Sequence, residues 1–148
     1  MITLLLVEDD QKEALVIKNM LKEGLQNQFT LEHSFSLSDA LHLVQKHSFQ
    51  AIILDSHLPD GKSFDSIPQF IQYCPGAPIL ILSGVEDENR AIQAVKSGAQ
   101  DYLIKGQTSS STLCRAIRYA IERHRATQRI TQLAHYDHLT GLANRGLF

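Results

Sequence analysis

Five short apolar runs, alternating with longer amphipathic stretches, constrain the fold of this chain more than any other feature. They are ITLLLV (Ile2–Val7), FTLEHS (Phe29–Ser34), AIIL (Ala51–Leu54), PILIL (Pro78–Leu82) and DYLI (Asp101–Ile104). ITLLLV, AIIL and PILIL are continuously apolar, as strands covered on both faces must be. FTLEHS alternates apolar with polar and reads as a strand nearer an edge. The first amphipathic stretch puts Ala14, Ile17, Lys18, Leu21 and Leu25 near one face, with its end expected at Gly24 and the polar Gln26–Gln28. Ser36 or Ser38 is a candidate cap for a second helix bearing Leu37, Ala40, Leu41 and Val44. A loop with Pro59 and Gly61 precedes a short helix over 64–73. Glu86–Ser97 reads as a helix stopped by Gly98, and a last helix is expected from about Ser110 to about Ala134. Strict alternation of strand and helix predicts an α/β fold. It is a doubly wound, five-stranded parallel sheet with right-handed crossovers and helices on both faces.

Composition is consistent with such a domain plus a tail. The chain has 148 residues, 43 % of them apolar and 20 % charged, which is enough to build a core. A net charge of −2 argues against bulk nucleic-acid or membrane binding. No apolar run approaches the roughly 18–20 residues that span a bilayer. The start, MITLLLVEDD, has no basic region and is acidic by Glu8, so no signal peptide is expected and a cytoplasmic location is. Cys74 and Cys114 lack metal-type spacing and read as free thiols in a reducing compartment.

In doubly wound sheets functional groups collect beyond the carboxyl ends of the strands. Those ends carry Glu8, Asp9 and Asp10 after the first run, Asp55 after the third, Ser83 and Gly84 after the fourth, and Lys105 after the fifth. Taken singly, each has a structural explanation: Asp9 or Asp10 as a helix cap, Lys105 as a solvated loop residue. Taken together they form an acidic cluster with one hydroxyl and one amine. Clustered carboxylates raise one another's pKa unless a cation joins them. Oxygen-only ligands suit a hard divalent ion such as Mg²⁺. An aspartate beside such an ion and an ammonium can act as a nucleophile toward phosphorus.

The segments LLLVEDD, AIILDSHLPDG, PILILSG and GAQDYLIKG closely resemble the receiver domain of bacterial response regulators, from Ile2 to about Arg125. The resemblance implies the flavodoxin-like strand order 2-1-3-4-5. It implies that Glu8 and Asp9 hold Mg²⁺ (Mn²⁺ being possible), together with Asp55 and the backbone carbonyl of His57. Asp55 matches the phosphoacceptor, Lys105 the lysine that contacts the phosphoryl group, Ser83 the hydroxyl switch residue and Tyr102 the aromatic that follows it inward. His57 and Val85 match positions that tune the phosphate's lifetime. The implied donor is a sensor histidine kinase or a phosphotransfer protein. The implied consequence is a homodimer formed on phosphorylation through the fourth helix, fifth strand and fifth helix. A regulatory module rather than an enzyme is expected. One departure stands out: the residue after the lysine, a cis proline in most of the family, is Gly106 here. A non-proline bond should be trans.

The basic stretch Arg115–Arg129 reads as a helix face with cations toward its C-terminus, as the helix dipole favours, and not as a nucleic-acid site. Beyond it, YDHLTGLANRGLF (Tyr136–Phe148) resembles the opening of the GGDEF domain of diguanylate cyclases, a D-x-L-T-G-L-x-N-R motif. Asp137, Leu139, Thr140, Gly141, Leu142, Asn144 and Arg145 fit it, and the Asn144 position helps hold guanine in that family. The expected organisation is a receiver over 1–125, a helical linker over 126–134 and the start of a GGDEF domain over 135–148. That family's phosphate-binding loop lies further downstream, so no cyclase activity is expected of these residues.

Four rival readings remain. A receiver could serve as a docking or dimerising module without phosphorylation, although all five of Glu8, Asp9, Asp55, Ser83 and Lys105 are retained. An output combining GGDEF with a phosphodiesterase is compatible with the same tail. A phosphatase of the haloacid dehalogenase type would want a second Asp where His57 stands. A flavin carrier of the same topology is disfavoured by the acidic loop after the first strand.

Overall fold

The computed structural model describes residues 1–26, 28–84 and 88–140, with side-chain contacts up to Thr127. The elements in chain order are β1 (Ile2–Val7), α1 (Gln11–Leu25), β2 (Phe29–Ser34), α2 (Leu37–Lys46), β3 (Ala51–Asp55), β4 (His57–Leu58), β5 (Gly61–Lys62), α3 (Ser63–Tyr73), β6 (Ile79–Ser83), α4 (Glu88–Ser97), β7 (Asp101–Ile104) and α5 (Ser110–Thr140). Five strands form a parallel sheet in the order β2-β1-β3-β6-β7, while β4 and β5 form a separate two-residue hairpin. Counting only the strands of the main sheet, this is the 2-1-3-4-5 order.

The period of two along each strand explains why the central runs are apolar without interruption. Leu4 and Leu6 of β1, Ala51 and Ile53 of β3, and Leu80 and Leu82 of β6 face α1 and α5. Leu5 and Val7, Ile52 and Leu54, and Ile79 and Ile81 face α2, α3 and α4. Two cores therefore share one sheet.

Three local readings are corrected. First, α1 ends where expected, at Leu25 with Gln26 as its cap, but Gly24 lies inside the helix and has another role. A Cβ at Gly24 would collide with the Cys114 side chain, so this glycine is where α1 and α5 approach each other. Second, α5 continues past Ala134 to Thr140. No glycine or proline lies between Ser110 and Thr140, and the next residue that favours a helix end is Gly141. The helix runs without a break across the expected boundaries at 125 and 134. Third, the loop with Pro59 and Gly61 carries the β4–β5 hairpin. Asp60 in its turn accepts hydrogen bonds from the Leu37 and Ser38 amides, at 3.0 and 2.9 Å, at the start of α2. Burial raises the Asp60 pKa, but these amides outweigh it and hold the carboxyl below its usual value. Ser36 is the N-cap of α2, its hydroxyl accepting from the Asp39 amide.

Cys74 and Cys114 are both buried and unpaired by any disulfide. No helix among the described residues is long and apolar enough to cross a membrane.

Candidate functional site

The site is built where β1, β3, β6 and β7 end. Beyond β1, the Glu8 amide donates to the Ser34 carbonyl at 3.0 Å, and His33 Nε2 lies 2.8 Å from the Glu8 carbonyl. These bonds hold the Glu8 backbone in line with the sheet. Its side chain is fully buried, while Asp9 next to it is exposed. Asp10 is the cap of α1, its carboxylate accepting from Lys12 N at 2.8 Å and Glu13 N at 3.3 Å. Asp55, the last residue of β3, is nearly buried. One carboxylate oxygen each from Glu8, Asp9 and Asp55 lies within 4.8 Å of the others.

Lys105 follows β7, anchored by its amide donating to the Ser83 carbonyl at 2.7 Å. Its ammonium lies 2.5 Å from Glu13 Oε2, 2.9 Å from Glu8 Oε1 and 3.2 Å from Asp55 Oδ1. Burial alone would lower the Lys105 pKa. Glu13, Glu8 and Asp55 outweigh it and hold the ammonium charged. Burial, then the neighbouring Asp55 and Glu13, push Glu8 up to about 9, with Lys105 opposing. Glu13 is pulled below its usual value by Glu8 and Lys105.

The hairpin supports Asp55 from behind. Ser63 Oγ donates to the Asp55 carbonyl. The Ser63 amide donates to the Ser56 carbonyl at 3.3 Å, and the Ser56 amide to the Leu82 carbonyl at 2.9 Å. Ser83 is fully buried, and its hydroxyl accepts from Ser56 Oγ at 3.1 Å. His57 has an exposed side chain whose Nδ1 lies 3.2 Å from Ser56 Oγ. Tyr102, opposite Ile81 in register, is half-buried against the core that faces α4. Gly106 has φ +82 and no peptide bond among the described residues is cis. Val85 lies outside the described residues, as do Gly141, Leu142, Asn144 and Arg145. Asp137, Leu139 and Thr140 lie on the last turn of α5.

Sequence reasoning did not name Glu13, Ser56 or Ser63. Glu13 carried a signal: Asp10-x-x-Glu13 has capping-box spacing, which suggests a carboxylate bound to its own helix. It turns instead to Lys105. Ser56 is adjacent to Asp55, but nothing local marks Ser63. Its place under Asp55 comes from the reversal of the chain in the hairpin.

The arrangement fits a hard cation. Glu8 Oε2 is buried with no hydrogen-bond partner among the described residues. Leaving such an oxygen unsatisfied is costly. With Asp9 and Asp55 it offers the oxygen-only donor set that Mg²⁺ or Ca²⁺ takes. Strand-end carboxylates around one lysine, on a doubly wound parallel sheet, stand where such folds bind their ligands.

The chain belongs to the response regulator receiver domain family, whose family model matches residues 4–118. Such a domain is regulatory and does not itself catalyse turnover of a substrate. It takes phosphate from a histidine kinase and binds Mg²⁺ at an acidic pocket. Similar curated proteins include the Methanogenesis regulatory protein FilR1 of Methanothrix harundinacea, 31 % identical over 128 residues, covering 84 % of this chain and 28 % of the relative. The transcriptional regulatory protein CusR of Escherichia coli is 28 % identical over 142 residues, covering 96 % and 61 %. This chain thus spans 28 % to 61 % of the length of such relatives. Among solved structures, a Burkholderia pseudomallei response regulator with a phosphorylated aspartic acid, calcium ion and citrate superposes with a TM-score of 0.72. It is 22 % identical, covering 99 % of this chain and 86 % of that one. The beryllofluoride-activated NtrC4 receiver domain dimer gives a TM-score of 0.74 at 23 % identity, covering 84 % and 99 %. These likenesses show the fold.

Proposed function

We propose that Asp55 is the phosphoryl acceptor of this receiver. The observation that supports this most is the Lys105 ammonium within 3.2 Å of Asp55 and within 2.9 Å of the buried Glu8. In the proposed step an Asp55 oxygen attacks the phosphorus of a phosphohistidine on a sensor kinase or phosphotransfer protein. The O–P bond forms as the N–P bond breaks. The imidazole leaves with the bonding pair and takes a proton from solvent. Lys105 moves its charge to the phosphoryl oxygens. Glu8, Asp9, Asp55 and the His57 backbone carbonyl would hold Mg²⁺, or Mn²⁺, which when bound neutralises phosphoryl charge. Ser83 exchanges its bond from Ser56 for one to the acyl phosphate, and Tyr102 follows it inward. His57, and Val85 by its place in the sequence alone, tune the phosphate's lifetime in this reading.

The surface that responds is α4–β7–α5, and it pairs with a second copy. Ile92 and Val95 on α4 and Tyr119 on α5 are large apolar side chains left about half exposed, which supports a contact there. Scattering with and without beryllofluoride tests it: an unchanged association state counts against the dimer.

For output, the receiver over 1–125 is joined by residues 126–134 to a GGDEF-type domain beginning near 135. The support is the motif Asp137, Thr140, Gly141, Asn144, Arg145. A second reading, a transcriptional output, is favoured by relatives such as CusR. Assay of the full-length gene product for cyclic di-GMP formation from GTP separates the two.

Intact mass after incubation with acetyl phosphate and Mg²⁺ tests the acceptor. One phosphoryl group is expected on the wild type and none on Asp55→Asn. An undiminished adduct on the variant, or none on the wild type, removes the assignment.

A further inference from the structure

Three carboxylates compete for the Lys105 ammonium, and they differ in what it costs each to lose it. Glu8 is fully buried, so abandoning it strands a carboxyl away from water. Asp55 is the residue at which Lys105 must remain. Glu13 makes the shortest contact of the three, yet its side chain is 48 % exposed and can return to water. Glu13 also comes from a different element, the first turn of α1, and reaches across 92 residues of chain to meet Lys105. Both side chains border a cavity of about 220 Å³ walled by Val16, Ile17, Met20, Leu82 and Leu113, which leaves their stems room to turn.

We infer that Glu13 is a positioning residue, a resting-state latch that shares the Lys105 ammonium with Asp55 and must release it when a phosphoryl group arrives. This rests on the reading of Asp55 as acceptor. The latch stabilises the unphosphorylated state only. Weakening it therefore favours the phosphorylated state, whereas simple damage to α1 would disfavour it.

The test uses the whole chain at saturating Mg²⁺, with beryllofluoride as the phosphoryl mimic and fluorine NMR to read half-saturation. Glu13→Gln removes the charge. Glu13→Asp keeps the charge and shortens its reach by one methylene. Both are expected to bind beryllofluoride tighter than wild type, by roughly two- to fivefold for a half-exposed ion pair. If only Glu13→Gln binds tighter, the effect is diffuse charge and the latch is overturned. Binding equal to or weaker than wild type in both variants also overturns it. Wild type that takes no beryllofluoride, or Asp55→Asn that takes it equally well, overturns the acceptor reading and the latch with it. That failure is visible before Glu13 is touched.

Discussion

Lys105 Nζ meets Glu8 Oε1 at 2.9 Å although the two residues are 97 apart in sequence. In the sheet, β3 and β6 separate β1 from β7. The same ammonium also contacts Asp55 of β3 at 3.2 Å and Glu13 of α1 at 2.5 Å, so one cation serves acids from three elements. This pairing both protects the acidic cluster and primes it, since anything that draws Lys105 away leaves Glu8 buried without its partner.

Replacing Lys105 by Met removes that cation. Its loss leaves nearly buried Asp55 without its cation and the Glu8 carboxyl without its donor, which is costly, but Lys105 retains 18 % side-chain exposure, which moderates the loss. The expected destabilisation in the absence of divalent ions is about 1–3 kcal/mol. It should shrink as Mg²⁺ is added. Urea unfolding with and without Mg²⁺ measures it, and identical midpoints for both proteins would show that the pairing is not structural.

Glu8 gives a pH dependence with a definite sign. Its ordinary value of 4.5 is pushed up to about 9. The folded state therefore binds this proton more tightly than the unfolded one. That contribution is complete below about pH 4.5 and is lost as pH rises through about 9. A divalent ion must displace the same proton, so Mg²⁺ affinity should rise from pH 6 toward pH 9. Glu8→Gln, which resembles the protonated form, should change metal-free stability by under about 1 kcal/mol. It should weaken Mg²⁺ binding by about tenfold or more. Calorimetric titration at several pH values reads both effects, and a flat profile for the wild type would contradict the burial argument.

Asp60 anchors the start of α2 through two backbone amides. Its carboxyl is held below its ordinary 3.8. A depressed carboxyl stabilises the fold above the unfolded value, and that contribution is lost as pH falls through the folded value. Asp60→Ala should cost about 1 kcal/mol at neutral pH, as loss of a helix cap does. The gap from wild type should close in acid. Unfolding midpoints at pH 7 and near pH 3 would reveal it, and a gap that persists in acid would mean the loss is not of charge.

Gly24→Ala tests the contact between α1 and α5. In an isolated helix this change stabilises by nearly 1 kcal/mol. Here the new methyl meets Cys114, and overpacking of about 1–3 kcal/mol should reverse the sign. Adding Cys114→Ala should recover only part of the loss, because the sulfur is gone but the Cβ at position 114 (2.9 Å) and the Ser110 carbonyl (3.2 Å) still crowd the new methyl. A double-mutant cycle by thermal unfolding decides whether the two positions couple.

Much of the fold was legible because its rules are local. Ile2–Val7, Phe29–Ser34 and Asp101–Ile104 are strands over the spans their patterns indicate, since alternation and burial on two faces leave a direct trace in sequence. The strand-end positions of Glu8, Asp9, Asp55, Ser83 and Lys105 were legible for the same reason. What the sequence did not show arose where a residue has one meaning locally and another in the packed molecule. Gly24 resembled a helix end and is a helix crossing. Glu13 resembled a capping carboxylate and is a partner of Lys105. Asp60 resembled a loop acid and pins α2. Ser63 had no local mark at all.

The sequence by itself determined the order of strands and helices, the two apolar faces of the sheet and which acids stand at strand ends. Adjacent residues carry those properties, because side-chain direction repeats every two or 3.6 residues. Tertiary structure alone decided which carboxylates share Lys105, which serine supports Asp55 and which glycine admits a neighbouring helix. Those outcomes depend on the distance left between elements once the sheet has closed and on how far each side chain reaches. Neither quantity is set by sequence neighbours.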